Sequence, residues 1–370
     1  MKKSIRERES EWKQRPDRTV GVDLGDRFSH YCVLNGEGEV LEEGRVRTSE
    51  EAFRRHWEAE PRQRIVMETG THSPWISRLL RGFGHQVIVA NARKVRAISE
   101  NESKNDRQDA EMLARLGYCN PRLLKPIQHR SAERQRDLNL IRARDTLVRA
   151  RTMLINSMRG LVKSAGGRLP PASSESFAAR VSAAVPAELG TATHPLLHQI
   201  AGLTVEIRGL DQAIEKLAER YPEIRILRTA PGVGPVIAAA YVLTLDGVDA
   251  VEHSRSVGAF LGLRPKQSQS GDSDPEHNIS KTGNIYLRRL LVQAAQYILG
   301  RFGPDSALRR WGLKLAQGGK RTKKRAVVAV ARKGRSCCTT CGELGSTTNP
   351  FRKWQQGPGA RPSFSSRVFK

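Results

Sequence analysis

Apolar and polar residues alternate in short runs over the first quarter of the chain. TVGVDL from Thr19, HYCVLN from His30 and VLEEGRVR from Val40 are separated by Gly-Asp and Gly-Glu-Gly turn signals, which predicts three strands joined as hairpins. The period then lengthens and alternates. A helix is predicted around Ser49–Trp57, a buried strand at Arg64–Thr69, a helix at Pro74–Phe83, a strand at Gln86–Asn91 and a helix from about Asp106 to Gly117. Arg130–Lys163 reads as one long helix, with Leu138, Ile141, Val148, Ile155, Met158 and Val162 on one side and arginines on the others. After a loop at Ala165–Ser176, residues Leu196, Ile200, Leu203, Ile207, Leu210, Ile214 and Leu217 alternate spacings of four and three. That heptad seam predicts an antiparallel hairpin with the first long helix or a coiled coil between subunits. A role in dimerisation is the favoured expectation.

Three hairpin strands followed by alternating helix and strand is the element order of an α/β ribonuclease-H-like fold. The remainder reads as a helical coiled-coil linker and a mainly α C-terminal domain. Within that domain Pro231-Gly-Val-Gly234 lies between two helical stretches and resembles a helix-hairpin-helix element. A plain tight turn is the competing reading.

Composition sharpens this picture. The formal net charge is +25 over 370 residues, far beyond what solubility needs, and points to a polyanionic partner, nucleic acid before an anionic membrane. No apolar run reaches the roughly 18 residues of a spanning helix. The charged N-terminal stretch is not a secretory signal. Cys32 and Cys119 are isolated and Cys337, Cys338 and Cys341 bunch near the end; this is no disulfide framework, and a reducing cytoplasm is expected.

Four acids fall at significant places in the predicted elements. Asp23 sits inside the first strand, where a charge is costly without a task. Glu68 ends the fourth, and strand C-termini are where α/β sites are built. Asp106 and Asp109 are spaced i, i+3 at a helix start and share a face. Four carboxylates converging at one sheet edge would suit Mg²⁺ or Mn²⁺ and phosphoryl transfer. Lys104 and Arg107 beside them are candidate nucleic-acid contacts. The polar loop after Leu261 holds Ser268, Ser270 and Ser273, with Lys281, Arg288 and Arg289 following. A serine beside a glycine and between basic residues fits a nucleophile towards a phosphodiester. His277 is the one nearby histidine, so activation of the hydroxyl would fall to the metal site.

Taken in order, VGVDLG, VMETG, K-x-D-x-x-D-A, PGVG, LGLRP, QSG, ISKTGN-x-x-LRR and AVAVARK resemble the DEDD/serine insertion-sequence transposases, also called bridge-RNA-guided recombinases. The resemblance runs from Thr19 to Lys333. It implies a RuvC-like domain, a coiled-coil linker and a transposase domain. It implies metal acids at Asp23, Glu68, Asp106 and Asp109, and a nucleophile at Ser270 that cuts DNA through a phosphoserine. It further implies a structured non-coding guide RNA and a dimer or tetramer working on DNA near the bacterial nucleoid. The expected divisions are a basic arm (1–18), the RuvC-like domain (19–125), the linker (126–222), the transposase domain (223–333) and a tail (334–370). A metal-dependent nuclease or Holliday-junction resolvase using the acids alone, and an inactive nucleic-acid-binding remnant, are the alternatives.

The tail changes character after Lys333. Codons permitted for SCCTTCGELGSTTN (Ser336–Asn349), read one base earlier, give VLLHHLWRTGEHYQ, the apolar ending that the resemblance leads one to expect. The tail is therefore read as out of frame, without function for its cysteines, and disordered.

Overall fold

A computed structural model of the chain describes residues 16–92, 105–245 and 254–343, apart from 271, 272, 274 and 276. Most of the predicted N-terminal arm, the tail from 344 and Lys104 lie outside the described residues. The chain divides into two compact units, the first reaching Ala132 and the second taking nearly everything after it.

The first unit is a five-stranded sheet in the order β3-β2-β1-β4-β5. Its strands are β1 (Thr19–Asp23), β2 (Phe28–Leu34), β3 (Val40–Arg47), β4 (Arg64–Glu68) and β5 (Gln86–Ala90). β1, β2 and β3 pair antiparallel, whereas β4 and β5 continue parallel to β1. Helix α1 (Glu50–Trp57) follows β3, and Ser49 caps it by accepting from the Ala52 N–H. Helix α2 (Ser73–Gly82) connects β4 to β5, and α3 (Asp106–Cys119) closes the unit. This is the α/β order read from the sequence.

Strand alternation sorts the side chains into two layers. Val20, Val22, Ile65 and Met67 join Phe53 and Trp57 of α1 and Ile76 and Leu80 of α2 in one core. On the other face Val66 and Ile88 meet Leu113 of α3, and Cys32 and Leu34 meet Ala110 and Ala114. Burial holds the Cys32 thiol protonated, its pKa pushed up to about 11.

In the second unit, α4 (Ala132–Ser164) and α6 (Gly190–Arg220) are long, with short α5 (Phe177–Val181) between them. Asp137 meets Arg220 and Tyr221, Arg144 meets Asp211, and Arg151 meets Thr204. Partner numbers fall on α6 as they rise on α4, so the two helices form an antiparallel hairpin within one chain. The heptad seam is thus used internally: Ile200, Ile207, Ile214 and Leu217 are buried, while Leu196, Leu203 and Leu210 are half-buried.

Among the described residues six helices follow: α7 (Pro222–Leu227), α8 (Pro235–Leu245), α9 (Ser254–Phe260), α10 (Ile285–Leu299), α11 (Ala307–Ala316) and α12 (Lys320–Glu343). Leu138 and Ile141 of α4 and Ile214 and Leu217 of α6 share one core with Leu243, Leu263, Leu291 and Val330. Linker and C-terminal helices therefore fold on common apolar residues rather than as separate domains. α12 runs ten residues past Lys333, so the tail begins as helix rather than as disordered chain.

In the PGVG turn Gly232 has φ +75°, and a Cβ there would stand 3.0 Å from Ile298 and 3.2 Å from the Ala294 carbonyl of α10. That glycine serves close packing of the turn on α10, whatever the turn binds.

Candidate active site

Gly21 makes the first-unit site buildable. A Cβ at this position would lie 2.0 Å from the Ala110 carbonyl and 2.4 Å from the Ala114 nitrogen, so α3 rests directly on the backbone of β1. At the helix's other end, a Cβ on Gly117 would meet Val66 and Thr19. α3 therefore runs opposite to β1 and delivers its N-terminus to the carboxyl end of that strand. Asn105 caps it, its side chain accepting from the Arg107 N–H, with Asp106 and Asp109 in the first turn. Acids there are favoured by the helix dipole.

Val22 pairs with Met67 across β1 and β4. The next residues, Asp23 and Glu68, stand on adjacent parallel strand ends and, by alternation, on the face that α3 covers. The four predicted acids thus belong to one edge and one face. A residue that the sequence reading missed joins them: His30 of β2 is the cross-strand partner of Asp23, and its Nδ1 lies 3.6 Å from Oδ2 of Asp106. Nothing in the sequence sets the β1–β2 register that brings it there.

The four predicted donors are all carboxylates, two at strand ends and two in the first turn of α3, the hard-oxygen chemistry that Mg²⁺ or Mn²⁺ requires. Among the described residues, no three His, Cys, Asp or Glu side chains are drawn close enough to hold one ion. The acids share an edge without being gathered into a coordination shell.

The loop after Glu68 is held on both sides. Thr69 donates its hydroxyl to the Ala90 carbonyl at 2.6 Å. Ser73 accepts from the Gly70 N–H at 3.0 Å and donates to the Gly70 carbonyl at 2.8 Å. Its one proton is then committed, so Nε2 of His129, at 2.8 Å, is the donor to Ser73. Burial, then Arg81, Arg78 and Arg130, push the His129 pKa down to about 4, and the ring is a neutral strut.

In the second unit, Ser270 lies exposed at the tip of a narrow loop. Ser270 and Ser273 exchange backbone hydrogen bonds of 3.2 and 3.1 Å, and the base is closed by Lys266 N–H to Asn278 and Ser280 N–H to Arg264. Two glycines clamp that base. A Cβ on Gly283 (φ +87°) would stand 1.7 Å from the Phe260 carbonyl, and one on Gly262 (φ +63°) 2.1 Å from that of Thr282. Asn284 then caps α10 by accepting from the Leu287 N–H at 2.9 Å. The LGLRP and ISKTGN motifs are, first, this interlock.

The predicted phosphate ligands differ in their surroundings. Arg288 donates to the carbonyls of Leu261 and Thr282 at 2.8 and 3.0 Å, tightening the same clamp. Arg289 forms an ion pair with Asp145 and lies over the Tyr286 ring. Lys281, with φ +54°, and Arg107 are exposed.

The chain matches a DEDD-type IS110 family model described as Transposase over residues 20–166. It also matches one described as Transposase IS116/IS110/IS902 family over residues 224–310. It is 30% identical over 240 residues to a probable family 20 transposase of Pseudomonas aeruginosa, covering 64% of this chain and 71% of that relative. It is 29% identical to the transposase for insertion sequence element IS1328 of Yersinia enterocolitica, covering 79% and 87%. With the transposase for insertion sequence element IS1111A of Coxiella burnetii it shares 26% identity, covering 76% and 77%.

Proposed function

Because the chain belongs to the IS116/IS110/IS902 family of transposases and so is a DNA transposase, we propose that it cuts and rejoins DNA with Ser270 as nucleophile and with the help of a metal-binding carboxylate edge. The observation that carries this reading is the placement of Asp23 and Glu68 on neighbouring strand ends, facing the helix that begins at Asp106.

Asp23, Glu68, Asp106 and Asp109 would hold Mg²⁺ or Mn²⁺. A bound divalent ion neutralises charge developing on a phosphodiester and its leaving oxygen. The chain's own contribution is positional. Gly21 seats α3, Asn105 aims its first turn, and the His129–Ser73 strut fixes the turn after Glu68. The Gly262–Gly283 clamp and Arg288 hold the base of the loop that presents Ser270, whose hydroxyl oxygen would bond to phosphorus as a DNA oxygen leaves. Lys281 and Arg107 would be backbone contacts for DNA, as would Lys104, which lies outside the described residues; Arg289 would first have to leave Asp145.

The +25 charge and the family resemblance support a structured RNA as a second nucleic-acid partner. We place the protein in the bacterial cytoplasm close to the nucleoid; no helix among the described residues is long and apolar enough to cross a membrane. A homo-oligomer, dimer or tetramer, is supported by the hairpin. Leu140, Leu147, Leu154 and Leu161 of α4 and Leu196, Leu203 and Leu210 of α6 recur every seven residues. Helical geometry puts both ladders on the same side of an antiparallel pair.

The test is trapping on donor DNA with Mg²⁺ and the element's RNA. Wild type, Ser270→Ala and Asp106→Ala are compared on a denaturing gel. A covalent protein–DNA band lost in both variants is the expected result. Cleavage without any covalent band, surviving Ser270→Ala but not Asp106→Ala, would mean a hydrolytic nuclease instead.

A further inference from the structure

Between Asp305 and Gly334 the chain carries ten lysines and arginines and no acidic residue. Three of these cations have work inside the unit. Arg309 donates to the carbonyls of Ile298 and Gly300, Arg310 pairs with Asp305, and Lys333 lies over the Trp311 ring at 4.1 Å. Five others collect at one place. Gly312 of α11 packs against Val330 of α12, where a Cβ would stand 2.5 Å from that side chain, and Gly334 faces Leu308. The two helices are therefore an antiparallel hairpin, and its tip is Lys314, the Gln317-Gly318-Gly319 turn and the first turns of α12.

Lys314, Lys320, Arg321, Lys323 and Lys324 are exposed on that tip, with no ion pair among the described residues. Elsewhere this chain neutralises surface arginines along the helix: Arg54 with Glu50 and Glu58, Arg55 with Glu51, Arg115 with Glu111, Arg149 with Asp145. In the first turn of α12 there is no acid to do this. Like charges at i, i+3 and i, i+4 repel, and cations at a helix N-terminus oppose its dipole. Both penalties vanish when a polyanion sits on the tip. The turn also leaves room for one: Gly318 and Gly319 have φ +109° and +118°, and no atom comes within 4 Å of where a Gly319 Cβ would be.

We propose that this tip is a nucleic-acid-binding surface made of residues other than the four carboxylates and the Ser270 loop, and that it takes the phosphate backbone of duplex DNA. The tip carries cations and glycines but no aromatic side chain on which an unpaired base could stack, the usual anchor for single strands. Such contact holds the duplex without reading its sequence.

The experiment is salt-dependent binding of the full chain to a non-cognate DNA duplex and, in parallel, to a single-stranded RNA of equal length. Wild type is compared with the quadruple variant K320Q/R321Q/K323Q/K324Q. Each phosphate contact contributes about 0.9 to the slope of log affinity against log salt for duplex DNA. The variant's duplex slope should be shallower by roughly 2 to 4, with affinity at moderate salt at least about tenfold weaker. The RNA slope should change by less than one. The charge-conserving K320R/K323R/K324R variant should match wild type, and the thermal midpoint of the quadruple variant should be equal or higher. An unchanged duplex slope in a folded quadruple variant overturns the proposal. An RNA slope that falls as far as the duplex slope overturns the choice of duplex.

Discussion

His129 stands where a positive charge is least welcome, half-buried and faced by Arg78 and Arg81 of α2 and by its neighbour Arg130. Its folded-state pKa of about 4 lies below the ordinary 6.5, so between those values the unfolded chain binds the extra proton. Stability is therefore complete above about pH 6.5 and falls as pH drops towards 4, at up to about 1.4 kcal/mol per pH unit for one proton. His129→Gln keeps a donor for Ser73 and removes the titration. Denaturant melts at several pH values should show wild type losing more stability than the variant across that window; parallel losses would refute the strut. Gly283 makes a second residue-scale case. A side chain there meets the Phe260 carbonyl at an impossible distance and adds left-handed backbone strain. Gly283→Ala should therefore abolish the covalent band while Ser270 itself is intact, and proteolysis should show the 264–280 loop opened. Asp23 and Glu68 were legible in the sequence because strand alternation and parallel order suffice to place them. His30 was not, because an antiparallel register is invisible in one strand's text. Arg288 and Arg289 were read as phosphate ligands because charge says nothing about which partner has already taken it.

The long helices show the same limit at the scale of elements. A heptad seam looks alike whether its partner lies in the same chain or in another. What settles the internal pairing is polar: Asp137 accepts from Arg220 and from the Tyr221 hydroxyl, both at 2.6 Å, and is buried. Asp137→Ala would leave Tyr221 and Arg220 without this acceptor at the hairpin's mouth, beside the shared core. A loss of roughly 2–4 kcal/mol is expected, below the full value for a buried pair because Arg220 is about half exposed. Urea denaturation of the full chain measures it. The leucine ladders carry the complementary prediction. Changing Leu147 and Leu203 together to glutamine removes apolar surface from one side of the hairpin but leaves Ile141, Ile155, Ile207 and Ile214 in place. Light scattering should show the mass of the assembly fall to that of one 41.2 kDa chain while helicity stays. An unchanged mass would move the oligomer contact off this side.

Over the whole molecule, the order of elements and the basic excess were readable from the text, while the sharing of one core by linker and C-terminal helices was not. Heptads and hairpins are local patterns; a common core is a long-range one. The second unit also holds a cavity of about 440 Å³ lined by Ala230, Pro231, Leu291, Ile298, Val330 and Gly334. α12 borders it and continues to Glu343. Positions 337, 338 and 341 fall in the last turns of α12. The present sequence offers three cysteines there. The shifted frame offers three leucines, followed by tryptophan at 342. We propose that the shifted frame would give this helix end the apolar residues that the present sequence lacks. The coding nucleotides decide the first half of the claim: any codon set for Ser336–Asn349 that cannot read VLLHHLWRTGEHYQ one base earlier ends it. The second half is thermodynamic. At about 0.8 kcal/mol per buried methylene, leucines seated against the cavity would add a few kcal/mol. For a unit of this size that corresponds to roughly 5–10 °C in thermal midpoint. A frame-restored chain that melts no higher than this one would show that the cavity has another occupant.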